Sequence, residues 1–434
     1  MDVHREVEVV ESCMVTPSKD TPSHGLWLSP LDLNMVNRGH TPTVYFYSSS
    51  SGVVDDFFDV TRLKVALAKA LVAFYPLAGR LSVDGDGRAE INCAGQGVLF
   101  VVARSDLTVN SFVDFQPSPE LRRLFVPRVE DPPSIMCAIQ VTFMRCGGVT
   151  MGTALHHTAI DAVSAAHFFQ TWSAFSRDGD GASGVAFELP CHDRTLLRAR
   201  SPPVVHPDAL TVLCPKLSQS ERSAPAVNEI FLVSSDQVAA LKRACAGSGD
   251  GGGGRVSTFC AVGAHVWRSM CAARRLPPDA TTRLTFPANI RRALRPPLPA
   301  RYFGNGTISL GTAGKVRDIG SEELGSVAAR ISGAVRRMDD ELVRSAIDYL
   351  EMNGGRQPGR GALPETELRV VSWLGMPMYD ADFGWGKPLA MHRAVQQRGG
   401  SVCLMDGPSG GVRILVSAEA AVLVDFRRLL YAIF

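Results

Sequence analysis

The sequence predicts an α/β protein built from two units of similar size, and three observations lead to this prediction. The chain has 434 residues, 45% hydrophobic and 20% charged, which is enough for a large buried core and more than one domain. Stretches with strand alternation and stretches with helical spacing follow one another along the chain. A proline-rich segment with neither period, residues 187–222, separates residues 1–186 from residues 223–434 and is predicted to link the two units.

The first unit combines strands and helices. "REVEVVESCMV" (5–15) and "TPTVYFYSS" (41–49) have the alternation and the β-branched and aromatic content of strands. Helical spacing over residues 59–81 predicts a helix that stops at Pro76. Short strands are then expected at "AEINC", "VLFVVA", "CAIQVTFMRC" and "GVTMGTAL", followed by an amphipathic helix at "AVSAAHFFQTWSAF". In the second unit, "AVNEIFLVSSDQVAALKRAC" predicts a strand followed by a capped helix. The glycine-rich segment "GSGDGGGGR" (247–255) predicts a surface loop.

Composition excludes several classes of protein. A net charge of +2 with scattered basic residues gives no field for nucleic acid or an anionic membrane, so a small-molecule partner is expected. The N-terminus lacks the apolar core of a secretory signal and no 18 apolar residues run together, which favours a cytoplasmic protein with no membrane span. Ten cysteines without CxxC or zinc spacing are predicted to be reduced and mostly buried thiols, and no metal is expected.

The stretch "TALHHTAIDAVSAAHFF" (153–169) carries the first candidate chemistry. It places His156, His157 and Asp161 between a predicted strand and a predicted helix. Imidazole suits general-base catalysis near neutral pH, and such a turn can present it to a cavity. No GxSxG motif is present, so a covalent acyl-enzyme is not favoured. A purely structural interpretation is also possible, with a buried histidine followed by an aspartate that caps the next helix. These residues alone do not decide between the two interpretations.

A second motif, "DFGWG" (382–386), changes the interpretation. Together with HHxxxD it resembles the joint signature of the BAHD acyl-CoA-dependent acyltransferases. Further segments are similar to landmarks of the plant hydroxycinnamoyltransferase branch of that family. These are "LWLSPLDL", "HTPTVYFY", "FYPLAGRL", "LPARYFGNGT" and "SAIDYLEMNGG".

The resemblance implies a fold and a reaction. The fold would be two similar-sized α/β domains, each a mixed sheet flanked by helices as in chloramphenicol acetyltransferase, enclosing an active-site channel. Part of the C-terminal half would return to the first sheet. An acyl-CoA donor and a small-molecule acceptor would enter from opposite faces of a monomeric enzyme. Acyl-CoA would be a substrate and CoA a product, without any other cofactor.

The resemblance also implies residue roles. His157 would be the general base, and the indole N–H of Trp385 would stabilise the oxyanion, which requires a donor. The remaining roles would be structural or in CoA binding. Structural roles would fall to Asp161, Asp382, Gly384, Gly386 and Arg291, with Arg291 the partner of Asp161 and Asn289 standing where an aspartate is commoner. CoA contacts would come from Ser257 and Thr258.

Gly375 bears on the acceptor. In the shikimate and quinate branch an arginine two residues after a tryptophan holds the acceptor's carboxylate, but here the segment reads Trp373-Leu374-Gly375. Because an arginine would repel a cationic amine, glycine favours a small aliphatic amine of the putrescine or agmatine type. Thr41, Thr43 and Tyr45 match polar positions on the acceptor side. The alternatives are shikimate, quinate or glycerol as acceptor, or a catalytically silent homologue that binds acyl-CoA.

Overall fold

The computed structural model describes residues 7–48, 57–112, 119–129, 134–179, 188–213, 226–246, 256–354, 363–394 and 399–432. Within them lie two six-stranded mixed sheets with helices packed on them, which is the predicted fold class, and a small three-stranded sheet. Both ends of the predicted linker and the loop at residues 247–255 lie outside the described residues. The division at residues 187–222 therefore stays a prediction.

The described elements are numbered in chain order. The strands are β1 (Val7–Val15), β2 (Gly25–Trp27), β3 (His40–Tyr47), β4 (Arg80–Val83), β5 (Ala89–Asn92), β6 (Val98–Ser105), β7 (Cys137–Met144), β8 (Val149–His156), β9 (Ala226–Val233), β10 (Thr281–Asn289), β11 (Thr307–Lys315), β12 (Glu367–Ser372), β13 (Ala390–Arg393), β14 (Ser401–Asp406) and β15 (Val412–Glu419). The helices are α1 (Pro30–Leu33), α2 (Val60–Ala73), α3 (Pro119–Phe125), α4 (Ala162–Asp178), α5 (Pro207–Leu213), α6 (Ser235–Ala246), α7 (Thr258–Ala273), α8 (Val316–Ser321), α9 (Leu324–Arg336), α10 (Asp340–Met352) and α11 (Ala420–Tyr431).

The first sheet positions the histidine motif. Its strand order is β1-β6-β7-β8-β3-β13, and only the β6–β7 pair is parallel. All eight residues of β8 are buried, as expected for a central strand whose two faces are both covered. Helices α2 and α4 pack on one another and bury aromatic side chains such as Phe168 and Trp172. The C-terminal end of β8 therefore opens into the protein interior.

Helix α2 shows why the predicted boundary was approximate. Its N-terminus is capped by the Asp59 carboxylate, which accepts hydrogen bonds from the N–H groups of Thr61 and Arg62. The helix ends at Ala73, and a 3₁₀ turn follows at Tyr75–Ala78. A proline restricts the residue before it to extended backbone, so the α-helical period stops before Pro76.

The second sheet has the order β11-β10-β12-β14-β15-β9. The β10–β12 and β12–β14 pairs are parallel and the others are antiparallel. Helix α7 is almost entirely buried and contacts α6, α8, α9 and α11, which makes it the centre of the helical layer on this sheet. No helix of the described residues is long and apolar enough to cross a membrane.

One segment joins the two sheets. After β12 the chain leaves the second sheet, passes through residues 373–389, and adds β13 to the edge of the first sheet beside β3. It then returns to the second sheet as β14. This is the return of the C-terminal half that the resemblance implied, and it carries the DFGWG loop onto the first half of the molecule.

Candidate active site

The turn between β8 and α4 holds His157. The backbone N–H of His157 donates to the carbonyl of Gly39 at 2.9 Å, and its carbonyl accepts from the Asn305 side chain at 2.9 Å. Asp161 caps α4 by accepting a hydrogen bond from the N–H of Ser164 at 2.9 Å. The turn is thus held by both halves of the chain.

A buried network behind this turn was not foreseen from the sequence. The Asp32 carboxylate accepts from the side-chain amide of Asn305 at 2.9 Å and pairs with Arg194 at 3.1 Å. Arg194 in turn donates to the carbonyls of Thr158 and Ala159. The landmarks "LSPLDL" and "RYFGNGT" contain Asp32 and Asn305, so their residues were visible in the sequence without this role.

A cavity of about 650 Å³ opens beside His157. Its wall is formed by β3, the histidine turn, α4 and the segment that follows β12. Most of the lining is apolar or aromatic. The lining residues are Arg38, Thr41, Thr43, Tyr45, Leu155, His157, Ile160, Asp161, Ala162, Ala165, Phe169, Val371, Trp373, Met378 and Arg393. The three acceptor-side positions predicted on β3 all lie on this wall.

The electrostatics keep His157 neutral. Burial lowers its pKa to about 3, with further lowering by the nearby positive charges of Arg38 and Arg393, against smaller opposing effects from its own backbone and Asp161. Nδ1 of His157 has no hydrogen-bond partner among the described residues. The imidazole is therefore available as a base throughout the neutral range.

Asp161 is engaged on both oxygens. Arg291 donates from Nη1 to Oδ2 at 2.8 Å and from Nη2 to Oδ1 at 3.0 Å, and the N–H of Gly306 also donates to Oδ2. Burial alone would raise the pKa of Asp161, but Arg291 and the N–H donors lower it overall. The side-chain oxygen of Asn289 accepts a hydrogen bond from the backbone N–H of Arg291 at 3.1 Å, which stabilises the local turn. This arrangement leaves the carboxylate an organising group beside His157.

The DFGWG loop is a tight turn on the outside of α2. The Asp382 carboxylate accepts from the N–H groups of Gly384 and Gly386 at 2.8 and 3.0 Å. Both glycines have positive φ, and a Cβ at Gly384 would collide with the guanidinium of Arg62. These contacts fit the structural role that the resemblance gave to the loop.

Trp385 lies away from the described cavity wall. Its ring stacks on Phe58 at 5.0 Å, with the Arg62 guanidinium 4.5 Å above it, and it is not among the residues that line the cavity. An oxyanion donor must face the reacting carbonyl, and this position gives no support to that role, which stays a prediction. Trp373 is the tryptophan on the described cavity wall.

Three other predicted positions lie off the cavity wall. Gly375 has φ +69° and donates its N–H to Asp406 at 3.0 Å. A Cβ there would meet nothing within 4 Å. Ser257 caps α7 through the N–H of Cys260, and Thr258 is the first residue of that helix. Nothing in this geometry tests their predicted roles in acceptor and CoA binding.

Two cations on the cavity wall were missed. Arg38 is exposed at the end of the segment before β3, whereas Arg393 is 7% exposed on β13. Neither belongs to a motif, and β13 is only four residues long. No pattern in the sequence indicates that a distant strand brings Arg393 to this wall.

A neutral imidazole on the wall of an apolar cavity, at a turn braced from both halves of the chain, fits an enzyme that uses general-base catalysis. The comparisons identify the family. The family model described as "Transferase family" matches residues 5–432, and the chain belongs to this family, the acyl-CoA-dependent BAHD acyltransferases that its two motifs resemble.

Curated relatives match along almost the whole chain. The chain is 46% identical to putrescine hydroxycinnamoyltransferase 1 of Oryza sativa subsp. japonica, covering 98% of both. It is 39% identical to shikimate O-hydroxycinnamoyltransferase of Nicotiana tabacum, covering 98% of this chain and 99% of the relative. It is 38% identical to hydroxycinnamoyl-CoA:5-hydroxyanthranilate N-hydroxycinnamoyltransferase of Avena sativa, with the same coverage.

Solved structures share the fold. Vinorine synthase superimposes with a TM-score of 0.76 at 23% identity, covering 99% of this chain and 98% of that one. TRI101 of F. graminearum, solved with coenzyme A and T-2 mycotoxin, gives 0.79 at 18% identity, covering 93% and 96%. The two-domain α/β fold class is thus confirmed.

Proposed function

We propose that this enzyme transfers a hydroxycinnamoyl group from its CoA thioester to a small aliphatic amine of the putrescine or agmatine type. The observation that carries the proposal is the neutral, partly exposed imidazole of His157 on the wall of an apolar cavity. The 46% identity to putrescine hydroxycinnamoyltransferase 1 supports the choice of donor and acceptor.

In the proposed reaction the acceptor nitrogen attacks the thioester carbonyl, and His157 takes the proton that the nitrogen loses. The tetrahedral intermediate then collapses with cleavage of the C–S bond, and the leaving CoA sulfur takes the proton from His157 and departs as the thiol. A general base of this kind contributes about 10²- to 10⁴-fold to the rate. No cofactor beyond the CoA thioester is required.

The oxyanion needs a hydrogen-bond donor on the cavity wall. Trp373 lines the cavity and an indole N–H can only donate, so we assign this role to Trp373 in place of Trp385. Thr41 lies on the same wall and offers a hydroxyl. Asp161 stays paired with Arg291 and takes no proton.

The setting of the enzyme is part of the proposal. The nine described cysteines are free thiols, which supports a reducing compartment such as the cytoplasm. The enzyme is proposed to act as a monomer, as the resemblance to its family implies. The amide product would belong to the phenolamides.

The test is product identification. The purified enzyme is incubated with p-coumaroyl-CoA and, separately, with putrescine, agmatine, spermidine, shikimate, quinate and glycerol, and products are identified by mass spectrometry. We expect amides of the small amines, formed about 10²- to 10⁴-fold more slowly by His157→Ala. If only esters formed, the acceptor would be a hydroxyl compound and the amine assignment would be wrong. Binding of p-coumaroyl-CoA without any product would indicate a silent homologue.

A further inference from the structure

Arg393 is a buried cation for which the described residues supply no anion. Its guanidinium stacks on the Trp373 ring at 5.0 Å and lowers the pKa of the Cys403 thiol against the larger raising effect of burial, while Nε has no partner among the described residues. No carboxylate of the described residues pairs with it, although buried Arg194 and Arg291 both pair with aspartates. Because burying an unpaired charge is costly, a substrate group is the natural partner on this cavity wall.

The strand register indicates how far the substrate group bound by Arg393 lies from the reacting atoms at His157. On β3, His40 pairs with His156, the neighbour of His157, and Thr43 pairs with Arg393. Thr43 lies three residues beyond His40, which is roughly 10 Å along a strand. That separation is comparable to the length of an extended hydroxycinnamoyl group from its carbonyl carbon to the oxygen on the far side of the ring.

Charge decides between the two substrates. If the acceptor is a diamine, as the proposed function holds, its far end is a second ammonium group that Arg393 would repel. The only carboxylate among the described lining residues is Asp161, and Arg291 occupies both of its oxygens. The Arg393 end of the cavity is therefore unsuited to the amine and is left for the acyl donor, which moves Thr43 and Tyr45 from the acceptor side that the resemblance implied to the donor side.

The lining between the two ends suits an aromatic ring. Tyr45, Phe169 and Trp373 contribute aromatic surface, and Leu155 and Ile160 contribute aliphatic surface. Arg393 adds N–H donors at the far end of this apolar path. A phenolic oxygen is a good acceptor for a guanidinium N–H, and a charged donor strengthens the bond.

We propose that Arg393 binds the phenolic oxygen of the acyl group and makes the enzyme selective for acyl donors with a hydroxyl at the 4-position of the ring. This inference rests on the proposed function, because it takes the donor to be aromatic and the acceptor to be an amine. Nothing in the sequence motifs pointed to Arg393 or to this selectivity.

The experiment compares p-coumaroyl-CoA with cinnamoyl-CoA, which lacks only the 4-hydroxyl. Their Kd values are measured by titration calorimetry without acceptor, for the wild-type enzyme, Arg393→Met, Arg393→Lys and the control Arg104→Met, whose arginine is exposed on β6. We expect the wild type and the control to bind p-coumaroyl-CoA about ten- to hundredfold more tightly than cinnamoyl-CoA. Arg393→Met should bring the two Kd values together by weakening p-coumaroyl-CoA alone, and Arg393→Lys should lie between.

Two results would overturn the inference. One is a Kd ratio that Arg393→Met and Arg393→Lys leave unchanged. The other is unchanged donor binding with a changed KM for the acceptor, which would assign Arg393 to the acceptor. Because donor binding is measured without acceptor, a failure of the amine assignment appears separately, as a missing amide in the product assay.

Discussion

At the scale of single residues, the chemistry depends on the imidazole of His157. His157→Ala removes the base but keeps the backbone bonds to Gly39 and Asn305. We expect turnover to fall by about 10²- to 10⁴-fold, with the circular dichroism spectrum and p-coumaroyl-CoA binding preserved. His206→Ala, at an exposed histidine, is the matched control and should keep full activity. Comparable rates for the two variants would rule out His157 as the base.

The pH dependence of the rate separates amine from hydroxyl acceptors. His157, with its pKa lowered to about 3, stays in the basic form throughout the neutral range. With an amine acceptor, kcat/KM should therefore rise about tenfold per pH unit from pH 6 to pH 9, because the neutral amine is the nucleophile. With a hydroxyl acceptor it should be nearly flat. If kcat/KM with a hydroxyl acceptor instead rose with pH and levelled off near pH 6.5, His157 would have an ordinary pKa.

The residues that the sequence could predict were those in motifs. HHxxxD predicted a histidine at a strand-to-helix turn, and the structure places His157 there on a cavity wall. The oxyanion role predicted for Trp385 gained no support, because DFGWG predicts a local turn and carries no information about the distance to the histidine. Arg393 and Trp373 reach the cavity through tertiary pairing, which a single sequence does not reveal.

At the scale of elements, the positive φ of Gly375 offers a reason for glycine that is independent of acceptor charge. Gly375→Ala should destabilise the protein by about 1 to 2 kcal/mol, because a Cβ is disfavoured at φ +69° although space is free. Gly333→Ala, inside α9 and also in open space, should instead stabilise it by about 0.5 to 1 kcal/mol. Urea unfolding measures both, and equal effects would contradict this explanation.

The ion pair of Asp161 with Arg291 connects the N-terminus of α4 to the loop between β10 and β11. Arg291→Met leaves a buried carboxylate unpaired and should lower the free energy of unfolding by about 3 to 5 kcal/mol. Arg317→Met removes an exposed pair with Asp279 and should cost at most about 1 kcal/mol. If urea unfolding gave similar losses for both, the connection would not be important for stability.

The long elements were predictable because their periods are strong. β1, β3, β8, α2, α4 and α6 lie where the alternation and the helical spacing indicated, with boundaries shifted by a few residues. β13 was not predicted from its own residues, since four residues carry too little pattern. Its pairing with β3 follows from the packing of the two halves.

At the scale of the whole molecule, buried neutral histidines make stability depend on pH. Burial lowers the pKa of His156 and His157 to about 3 and that of His192 and His392 to about 4. Between these values and the unfolded pKa of about 6.5, the unfolded chain binds protons that the folded chain does not. Stability is therefore full above pH 6.5 and is lost as the pH falls.

The melting temperature measures this loss. We expect Tm to be nearly constant from pH 8 to pH 7 and to fall progressively between pH 6 and pH 4. A variant with His206→Ala should follow the wild type, because the side chain of His206 is exposed and the four histidines named above are not removed. A Tm unchanged down to pH 4 would show that the buried histidines are protonated without unfolding the protein.

The return of β13 to the first sheet has a consequence for fragments of this enzyme. A polypeptide that ends in the predicted linker lacks β13, so β3 becomes a bare edge whose N–H and C=O groups can pair with other molecules. It also lacks Asn305 and Arg291, which brace the histidine turn. Such a half should aggregate when expressed alone and become soluble when coexpressed with the other half. A chimaera with a relative should likewise exchange β13 together with β3, wherever the linker is cut.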